Sequence, residues 1–350
     1  MSWKHSGSLA LLTLTLAACG GPPGTEAGEE PSPTTQHAPA VEPPPTGNTG
    51  GADTPAPPPG AGAPVPEEVS PSRVRLVPEE YPTIQAAVDA ARPRDTVRVA
   101  PGVYSENVRL RSGIRLEGSG AHATVLDGRG MPRNLVDFTG ATDVEIRGFT
   151  FRNVGSTGWC TMTWEMDRWC SGNWYAAGVY ADGHTATSAV IEQNIFEQND
   201  TAVLLYHHAI ARVRNNLFFR NTHALAFSYF QDSASAEGNI FWGNTSLAIG
   251  VQAGYIDIRG NIIAGSFIGI GHEYIQTGDI GCNLFFQNEH HELELAIVPS
   301  RVRLGEGGNE VGAPAFLDPD AGDFRQEPGT IRQTPRCLDG AYDTGELLTR

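Results

Sequence analysis

Asn194-Ile195-Phe196-Glu197-Gln198-Asn199 is the first of five related hexapeptides that decide the fold. The other four copies are residues 216–221 (NLFFRN), 239–244 (NIFWGN), 261–266 (NIIAGS) and 283–288 (NLFFQN). The first Asn recurs at intervals of 22, 23, 22 and 22 residues, a register too regular to arise by chance. Residues 148–153 (GFTFRN) resemble an earlier copy, 46 residues before Asn194. The chain therefore contains an internal repeat of about 22 residues.

Short runs rich in Val, Ile, Leu and Phe lie between the repeated Asn residues and are broken by Gly, Asn and Asp. Such runs predict strands rather than helices. A unit of this length with about three short strands cannot bury its own apolar face, so the units must stack with parallel strands about 4.8 Å apart. Parallel crossovers are right-handed almost without exception. We therefore predict an all-β fold, a right-handed parallel β-helix.

Stacking places equivalent side chains directly above one another. An amide donates and accepts at once, so we expect the repeated Asn side chains to form a structural column of hydrogen bonds. Two residues before four of these Asn residues, the side chains alternate in charge: Glu192, Arg214, Glu237 and Arg259. We interpret them as a solvated column of ion pairs, each worth little in stability.

The N-terminal part of the chain differs in composition from the repeats. Fifteen of the 25 Pro residues lie between Gly20 and Ser72, with seven acidic residues and almost no large apolar side chain. Such a segment cannot bury enough surface to fold. We predict three parts: a signal peptide at 1–18, a lipidated Cys followed by a disordered tether at 19–72, and the β-helix domain at 73–350.

The leader combines the positive charge of Lys4 with an apolar core, residues 9–16, that is too short to span a membrane. The sequence Leu16-Ala17-Ala18-Cys19 resembles the lipobox of bacterial lipoproteins, in which the Cys becomes diacylglyceryl-modified. In that family, Gly20 after the Cys favours transfer to the outer membrane. We expect secretion through the inner membrane and anchoring by acyl chains on Cys19 alone.

Residues 81–91 (YPTIQAAVDAA) and 95–104 (DTVRVAPGVY) resemble the N-terminal cap of the pectin lyase-like right-handed β-helix proteins. The first segment predicts an amphipathic helix with Thr83 as N-cap and Ile84, Ala87, Val88 and Ala91 on one stripe. Residues 114–120 and 124–128 match the first coils of that family, and 314–319 with 322–325 are similar to its closing segment. The resemblance implies the fold but no single activity, because the fold hosts lyases, hydrolases, esterases, epimerases and adhesins.

Charge and cysteine content limit the class of partner. Residues 73–350 carry 23 Arg and 33 acidic residues, so we expect no nucleic-acid partner and no direct contact with anionic membranes. Four Cys remain after Cys19, which agrees with an oxidising compartment. We predict that Cys160 bonds Cys170 and that Cys282 bonds Cys337. A metal site built from these Cys is disfavoured, because no CxxC-like spacing occurs. We expect a monomer.

Polar and aromatic residues recur on one angular sector of the coils. Counting 13 residues from each Asn gives His207, Tyr229, Gln252 and Tyr274, and counting 12 gives Tyr206, Ser228, Val251 and Glu273. In the family that the chain resembles, the substrate groove follows such a sector. We predict ligand contacts from five of these residues: Tyr206, His207, Tyr229, Gln252 and Tyr274. The alternative is that half of the sector consists of polar core groups or ordinary surface.

The insertion at 156–175 is the second candidate, because it carries four of the six Trp residues beside Cys160 and Cys170. Trp164 and Trp169 are suited to stacking against sugar rings. The alternative is that these indoles pack against the side of the solenoid.

Catalytic patterns are weak. The signatures of polygalacturonase-like hydrolases are missing from the sequence, and only Asp182, Asp232 and Glu273 could supply paired carboxylates. We predict no cofactor, apart from Ca²⁺ if the protein is a lyase. A metal site from His207, His208, His272 and Glu273 is disfavoured, because His207 and His272 lie about three coils apart and strand neighbours point to opposite faces.

The leading hypothesis is a cell-surface or outer-membrane lipoprotein whose β-helix binds glycans or has a structural role in the envelope, without established catalysis. The alternative is a carbohydrate-active enzyme, either a polysaccharide lyase or a glycoside hydrolase, and the sequence leaves the question of catalysis open.

Overall fold

The computed structural model describes residues 72–129, 133–155, 176–228, 231–294 and 307–326. One α-helix, Ile84–Ala90 (α1), and one 3-10 helix, Pro319–Ala321, occur in these ranges. The strands of the first part are Val74–Val77 (β1), Thr96–Val99 (β2), Gly102–Tyr104 (β3), Val108–Arg109 (β4), Arg115–Gly118 (β5), Thr124–Asp127 (β6), Val136–Asp137 (β7), Val144–Arg147 (β8) and Thr150–Arg152 (β9). Those of the middle part are Val179–Asp182 (β10), Ser188–Glu192 (β11), Ile195–Glu197 (β12), Thr201–Tyr206 (β13), Ile210–Arg214 (β14), Leu217–Phe219 (β15), His223–Ser228 (β16), Gln231–Glu237 (β17) and Ile240–Trp242 (β18). Those of the last part are Leu247–Arg259 (β19), Ile262–Ala264 (β20), Ile268–Thr277 (β21), Ile280–Gly281 (β22), Leu284–Phe286 (β23), His290–Glu294 (β24), Glu310–Val311 (β25), Phe316–Asp318 (β26) and Asp323–Gln326 (β27).

The coils contribute strands to three faces, and within each face the strands of successive coils pair in parallel. Face A contains β1, β2, β5, β8, β11, β14, β17, the second half of β19 and β22. Face B contains β3, β6, β9, β12, β15, β18, β20, β23 and β25. Face C contains β4, β7, β10, β13, β16, the first half of β19, β21 and β24. The prediction of a right-handed parallel β-helix is confirmed.

The core is a set of stacked columns, because parallel pairing in register puts equivalent side chains on successive coils. On face B, the rings of Phe151, Phe196, Phe218 and Phe241 stack with centroids 5.0, 4.8 and 4.6 Å apart. All four side chains are fully buried. Stacked aromatic pairs of this kind contribute about 0.5–1.5 kcal/mol each beyond their area burial.

The repeated Asn side chains form the predicted structural column, at the corner between faces A and B. Asn239 Nδ2 donates to Asn261 Oδ1 at 3.0 Å and to the Val213 carbonyl at 2.8 Å. The column runs without a break through Asn194, Asn216, Asn239, Asn261, Asn283 and Asn309. A left-handed residue precedes several of these Asn residues, such as Gln193 with φ 55° and Gly238 with φ 63°. The corner is therefore the same turn on successive coils.

A second amide column lies at the corner between faces B and C, and it is interrupted. Asn199 Nδ2 donates to Asn221 Oδ1 at 2.9 Å, and Asn221 Nδ2 donates to Asn244 Oδ1 at 3.1 Å. The next position is Ser266, whose buried Oγ has no hydrogen-bond partner. The backbone N–H of Ser266 donates to Asn288 Oδ1 at 2.9 Å, so the column resumes one coil later.

The column of alternating charges is longer than the sequence predicted. Glu192 pairs with Arg214 in the strand register, Arg214 with Glu237, and Glu237 with Arg259. The column extends back through Arg147, Glu117 and Arg98 on face A. Ion-pair distances are 2.7 Å for Arg214 Nε to Glu192 Oε2 and 3.2 Å for Arg147 Nη2 to Glu117 Oε1.

The capping helix is confirmed. The Thr83 hydroxyl accepts a hydrogen bond from the backbone N–H of Ala86 at 3.1 Å, as an N-cap should. Ile84, Ala87 and Val88 are buried against the first coil. The Glu106 carboxylate accepts from the Ile84 N–H at 3.0 Å, which ties the helix N-terminus to the coils.

Two long strands depart from the prediction of short strands. β19 has 13 residues and β21 has ten, and β19 runs past the corner between faces C and A without a turn. On the earlier coils, turns follow β10 and β13 at this corner. The corner between faces C and A therefore changes along the solenoid.

The closing segment folds back onto the side of face B. The antiparallel pair β26 and β27 places Phe316 and Phe324 against Trp242, with ring centroids 5.9 Å apart in both cases. Trp242 Nε1 donates to Asp320 Oδ1 at 3.0 Å, and Arg220 Nη2 donates to the Asp320 carbonyl at 2.6 Å.

Candidate metal centre

Several of the predicted site residues fall outside the description. Trp164, Trp169, Tyr229, Cys19, Cys160, Cys170 and Cys337 lie outside the described residues, as do the side chains of Asp232, Glu273 and Tyr274. Their roles stay predictions. Cys282 is disulfide-bonded, and its partner lies outside the described residues, so its pairing with Cys337 also stays a prediction.

The register of the predicted binding sector is wrong by one residue on one coil. His223 pairs with Leu247, and two residues lie between Asn244 and Leu247 where only one lies between Asn221 and His223. Phe227 therefore pairs with Val251, and Tyr274 pairs with Ala253 rather than with Gln252. Gln252 and Ser228 are both buried, which leaves them little surface for a ligand.

His272 lies inside the core. It pairs with Val251 in the strand register, in the column that also holds Leu205 and Phe227, and only 1% of its surface is exposed. Three steps of the strand register separate His272 from Leu205, which lies two residues before His207.

The first part of the sector forms a polar group that the sequence did not predict as a unit. Asp182 ends β10, and Tyr206 pairs with it at the end of β13. His207 and His208 follow in a turn, with His207 in a left-handed conformation at φ 51°. The premise that these two residues alternate along a strand is therefore wrong, because the chain turns from face C to face A at this point.

Gly183 makes the stacking of the two turns possible. A Cβ at this position would lie 2.0 Å from the Ala209 backbone N and 2.2 Å from the His208 carbonyl carbon. A side chain cannot fit there. Because glycine lets the turns approach this closely, the side chains on either side of Gly183, Asp182 and His184, lie next to His207.

Three side chains converge at this corner. His207 Nδ1 lies 2.9 Å from Asp182 Oδ1, and His184 Nε2 lies 3.9 Å from the same oxygen. The backbone N–H of His184 donates to Asp182 Oδ1 at 3.1 Å, which fixes the carboxylate. The two imidazole rings have centroids 3.6 Å apart at an angle of 31°. We call Asp182, His184 and His207 the histidine corner.

The histidine corner is open to solvent. The exposed fraction is 27% for the Asp182 side chain, 28% for His207 and 69% for His184. Ions and small molecules can therefore reach it.

An aromatic pair borders the histidine corner on face C. Tyr180 and Tyr206 are half-buried, with ring centroids 6.4 Å apart, and pack on a small apolar cluster of Ala177, Leu204 and Ala226. Burial, with the negative charges of Asp182 and Asp137, raises the pKa of Tyr180 to about 12.

The donor set fits a divalent transition-metal ion. Each of the three side chains of the histidine corner offers one ligand atom, and these atoms lie within 4.8 Å of one another. Two atoms bound to one ion at about 2.0–2.2 Å lie at most about 4.4 Å apart, so a small rotation of the exposed His184 ring suffices. Among the described residues, this is the group of three or more His, Cys, Asp and Glu side chains with that geometry.

The spacing of Asp182 and His207 in the sequence is a signal for this group. His207 follows Asp182 by 25 residues, about one coil, and His184 belongs to a Gly183-His184-Thr185 segment that matches no hydrolase signature. The predicted absence of a metal rested on His207, His208, His272 and Glu273, of which only His207 belongs to this group.

The fold, the capping helix and the amide columns define a right-handed parallel β-helix protein of the pectin lyase-like type. The chain belongs to the NosD family, described as periplasmic copper-binding protein, whose family model matches residues 93–293. The periplasmic description agrees with the predicted secretion.

Solved structures with a similar fold share little sequence with the chain. One is the A-module of a mannuronan C-5 epimerase from Azotobacter vinelandii, with 14% identity over 59% of this chain and 77% of the other, and a TM-score of 0.29. Another is pectin methylesterase from carrot, with 13% identity, 70% and 88% coverage and the same TM-score. None of the curated proteins compared with the chain matches it. No helix in the described ranges is long and apolar enough to cross a membrane.

Proposed function

We propose that this protein is an envelope β-helix protein that binds a divalent transition-metal ion at the histidine corner, with Cu²⁺ the preferred ion. The observation that carries the proposal is the convergence of one carboxylate and two imidazoles within 4.8 Å. The description of the NosD family as copper-binding supports it. The proposal departs from the sequence-based expectation, which did not consider Asp182 and His184 as ligands.

The chemistry of the donors favours this class of ion. Imidazole nitrogen suits Zn²⁺, Cu²⁺ and Ni²⁺, and among the divalent first-row ions Cu²⁺ binds such ligands most tightly. The Asp182 carboxylate adds a negative charge that offsets part of the charge of the ion. Its hydrogen bond from the His184 N–H holds the carboxylate in place before the ion arrives. A bound copper ion would supply a Lewis acid and a one-electron redox centre at the protein surface.

Metal titration of the purified full chain tests the proposal. After treatment with a chelator, Cu²⁺ and Zn²⁺ should each bind with one-to-one stoichiometry in isothermal titration calorimetry. His207→Ala should weaken Cu²⁺ binding at least tenfold, because even the loss of a residue that only hydrogen-bonds a metal ligand typically costs about 10–100-fold in affinity. His208→Ala is the matched control, because His208 is the next residue, is exposed and lies outside the group. Equal affinities of both variants and wild type would contradict the assignment.

A second candidate function is glycan binding on the same face, which the Tyr180 and Tyr206 pair favours. Sugar rings stack on exposed aromatic faces, and both rings lie at the edge of the histidine corner. Tyr206 and His207 are the candidate ligand contacts on this face, and Trp164 and Trp169 of the insertion stay candidates from the sequence. A glycan array combined with a polysaccharide-degradation screen tests binding and turnover together. If a glycan binds, Tyr206→Ala should make the binding free energy less favourable by about 1–2 kcal/mol. Degradation that is lost in Asp182→Asn would favour the enzyme alternative.

Anchoring through Cys19 is part of the proposed function. The lipobox-like residues before Cys19 and the Pro-rich segment after it support a lipoprotein held away from the outer membrane by an extended tether. Cys19→Ser should move the protein from the membrane fraction to the soluble fraction. Unchanged fractionation would contradict the anchor.

A further inference from the structure

We infer that the histidine corner discriminates between the oxidation states of copper, retaining Cu²⁺ and releasing the ion when it is reduced to Cu⁺. The inference rests on the proposed metal site and adds its selectivity and the condition for release.

The donor atoms of the histidine corner are one carboxylate oxygen and two imidazole nitrogens. Carboxylate oxygen suits hard divalent cations, whereas Cu⁺ selects soft thiolate and thioether ligands. The described part of the chain contains no Met, and its single Cys, Cys282, is in a disulfide. Among the described residues, no thiol or thioether is therefore present to compensate Cu⁺ for a poor match to oxygen.

Charge adds to this difference. The attraction between Asp182 and a bound ion scales with the charge of the ion, so loss of one positive charge on reduction halves it. Asp137 lies on the neighbouring strand, paired with Tyr180, and contributes a second carboxylate on the same face. Residues 73–350 also carry a net negative charge. Each of these charges favours the divalent state over the monovalent state.

Exposure allows the release step. His184 is largely exposed, and Asp182 and His207 are each more than a quarter exposed, so a small reductant and a competing ligand can approach the ion. In the step, one electron passes from the reductant to Cu²⁺, and the Cu⁺ that forms leaves for a partner with thioether or thiolate ligands. Ascorbate is a reductant of the required class, and an aromatic-diimine chelator specific for Cu⁺ replaces the partner in vitro.

The experiment loads the full chain with one equivalent of Cu²⁺, confirmed by its electron paramagnetic resonance signal, and adds ascorbate and the Cu⁺ chelator without oxygen. We expect loss of the copper and a Kd for Cu⁺ at least about 100-fold higher than that for Cu²⁺, equal to about 2.8 kcal/mol. The same chain loaded with Zn²⁺ should keep its ion, because Zn²⁺ is not reduced. Asp182→Asn should reduce the ratio of the two Kd values, since it removes the charge that favours Cu²⁺.

Two results are distinguishable. Cu⁺ held as tightly as Cu²⁺ would overturn this inference while leaving the proposed metal site intact. Failure of both Cu²⁺ and Zn²⁺ to bind the wild-type chain would overturn the proposed function, and this inference with it.

Discussion

The corner between faces A and B and the corner between faces C and A obey opposite rules. The first repeats the same buried Asn on coil after coil, and each amide donates to the next one at 2.9–3.2 Å. The second changes from turn to continuous strand, and on two of its coils the side chains of Asp182, His184 and His207 meet. A repeated corner holds the solenoid together, whereas a corner free to vary can acquire a ligand site. The predictions below test this division, ordered by their effect on the free energy of unfolding.

The largest effect should come from the N-terminal cap, which belongs to neither corner. Arg75 Nη2 lies 2.9 Å from Asp95 Oδ2, and both side chains are buried. Burial alone raises the pKa of Asp95, but the N–H groups of Arg92 and Arg73 and the Arg75 guanidinium outweigh it and hold the pKa below its usual value. Asp95→Asn leaves the guanidinium buried without a counter-charge and should cost about 3–5 kcal/mol.

The pH dependence follows from the direction of that shift. A carboxyl whose pKa is lower in the folded state stabilises the protein above the unfolded value of about 3.9, and this stability is lost as the pH falls through the folded value. Urea denaturation between pH 3 and pH 7 should therefore show a smaller pH dependence in Asp95→Asn than in wild type. If the free energy of unfolding depends on pH equally in the variant and in wild type, protonation of groups other than Asp95 causes the loss of stability in acid.

The next effect should come from the Asn column. Asn239 accepts hydrogen bonds from the N–H and the Nδ2 of Asn216 and donates to Val213 and Asn261. Asn239→Ala leaves these buried partners short of one bond each, which should cost about 3 kcal/mol. Because the column lies away from the histidine corner, Cu²⁺ affinity should stay within twofold of wild type. A folded Asn239→Ala variant that no longer binds Cu²⁺ would show that the corner between faces A and B also takes part in ligand binding, and would contradict the division of roles.

A gain of stability should follow from repair of the second column. Ser266 occupies a position that holds Asn on the neighbouring coils, and its Oγ has no partner. Ser266→Asn should restore the missing amide and raise the free energy of unfolding by about 1 kcal/mol, measured by urea denaturation. Ser246→Asn, at a half-buried position two residues after Asn244 of the column, is the matched control and should give no gain.

Loss of the histidine corner should barely change the stability of the metal-free protein. The three side chains are partly exposed, so His184→Ala should alter the free energy of unfolding by less than about 0.5 kcal/mol. Saturating Cu²⁺ should raise the Tm of wild type, and this increase should shrink in the variant. A large loss of stability without metal would instead indicate a structural role for this corner.

The smallest effect should come from the charge column. Glu192→Gln removes the negative charge from the 2.7 Å ion pair with Arg214, whose side chain is half exposed, and should cost about 0.3 kcal/mol. The difference should shrink further in 0.5 M NaCl, as screening of exposed charges requires. A cost that persists in high salt would mean that the column does more than a solvated set of ion pairs.

The repeat was predictable because one residue type recurs under a constraint that every coil shares. The spacing of Asn194, Asn216 and Asn239 indicated the stacking of the coils and the column of amide hydrogen bonds. Thr83 indicated the N-terminus of the capping helix. The histidine corner obeys no such rule. Asp182 and His207 come together because Gly183 permits two turns to stack, and that contact depends on the three-dimensional path of the chain. The one-residue error at Gln252 has the same origin, since the extra residue before Leu247 leaves no mark in the Asn spacing.

The hairpin of β26 and β27 limits how the solenoid can change in length. The hairpin follows the last coil, after Asn309, and contacts Trp242 and Arg220 on earlier coils. It therefore acts as a strap that spans a fixed number of coils. A coil duplicated between Trp242 and Asn309 would move the origin of the strap about 4.8 Å away from its indole and guanidinium partners. A coil duplicated before Arg220 would leave every one of these contacts in place. Gain or loss of coils during evolution is thus permitted on the N-terminal side of Arg220, where the histidine corner lies, and is opposed between Trp242 and Asn309.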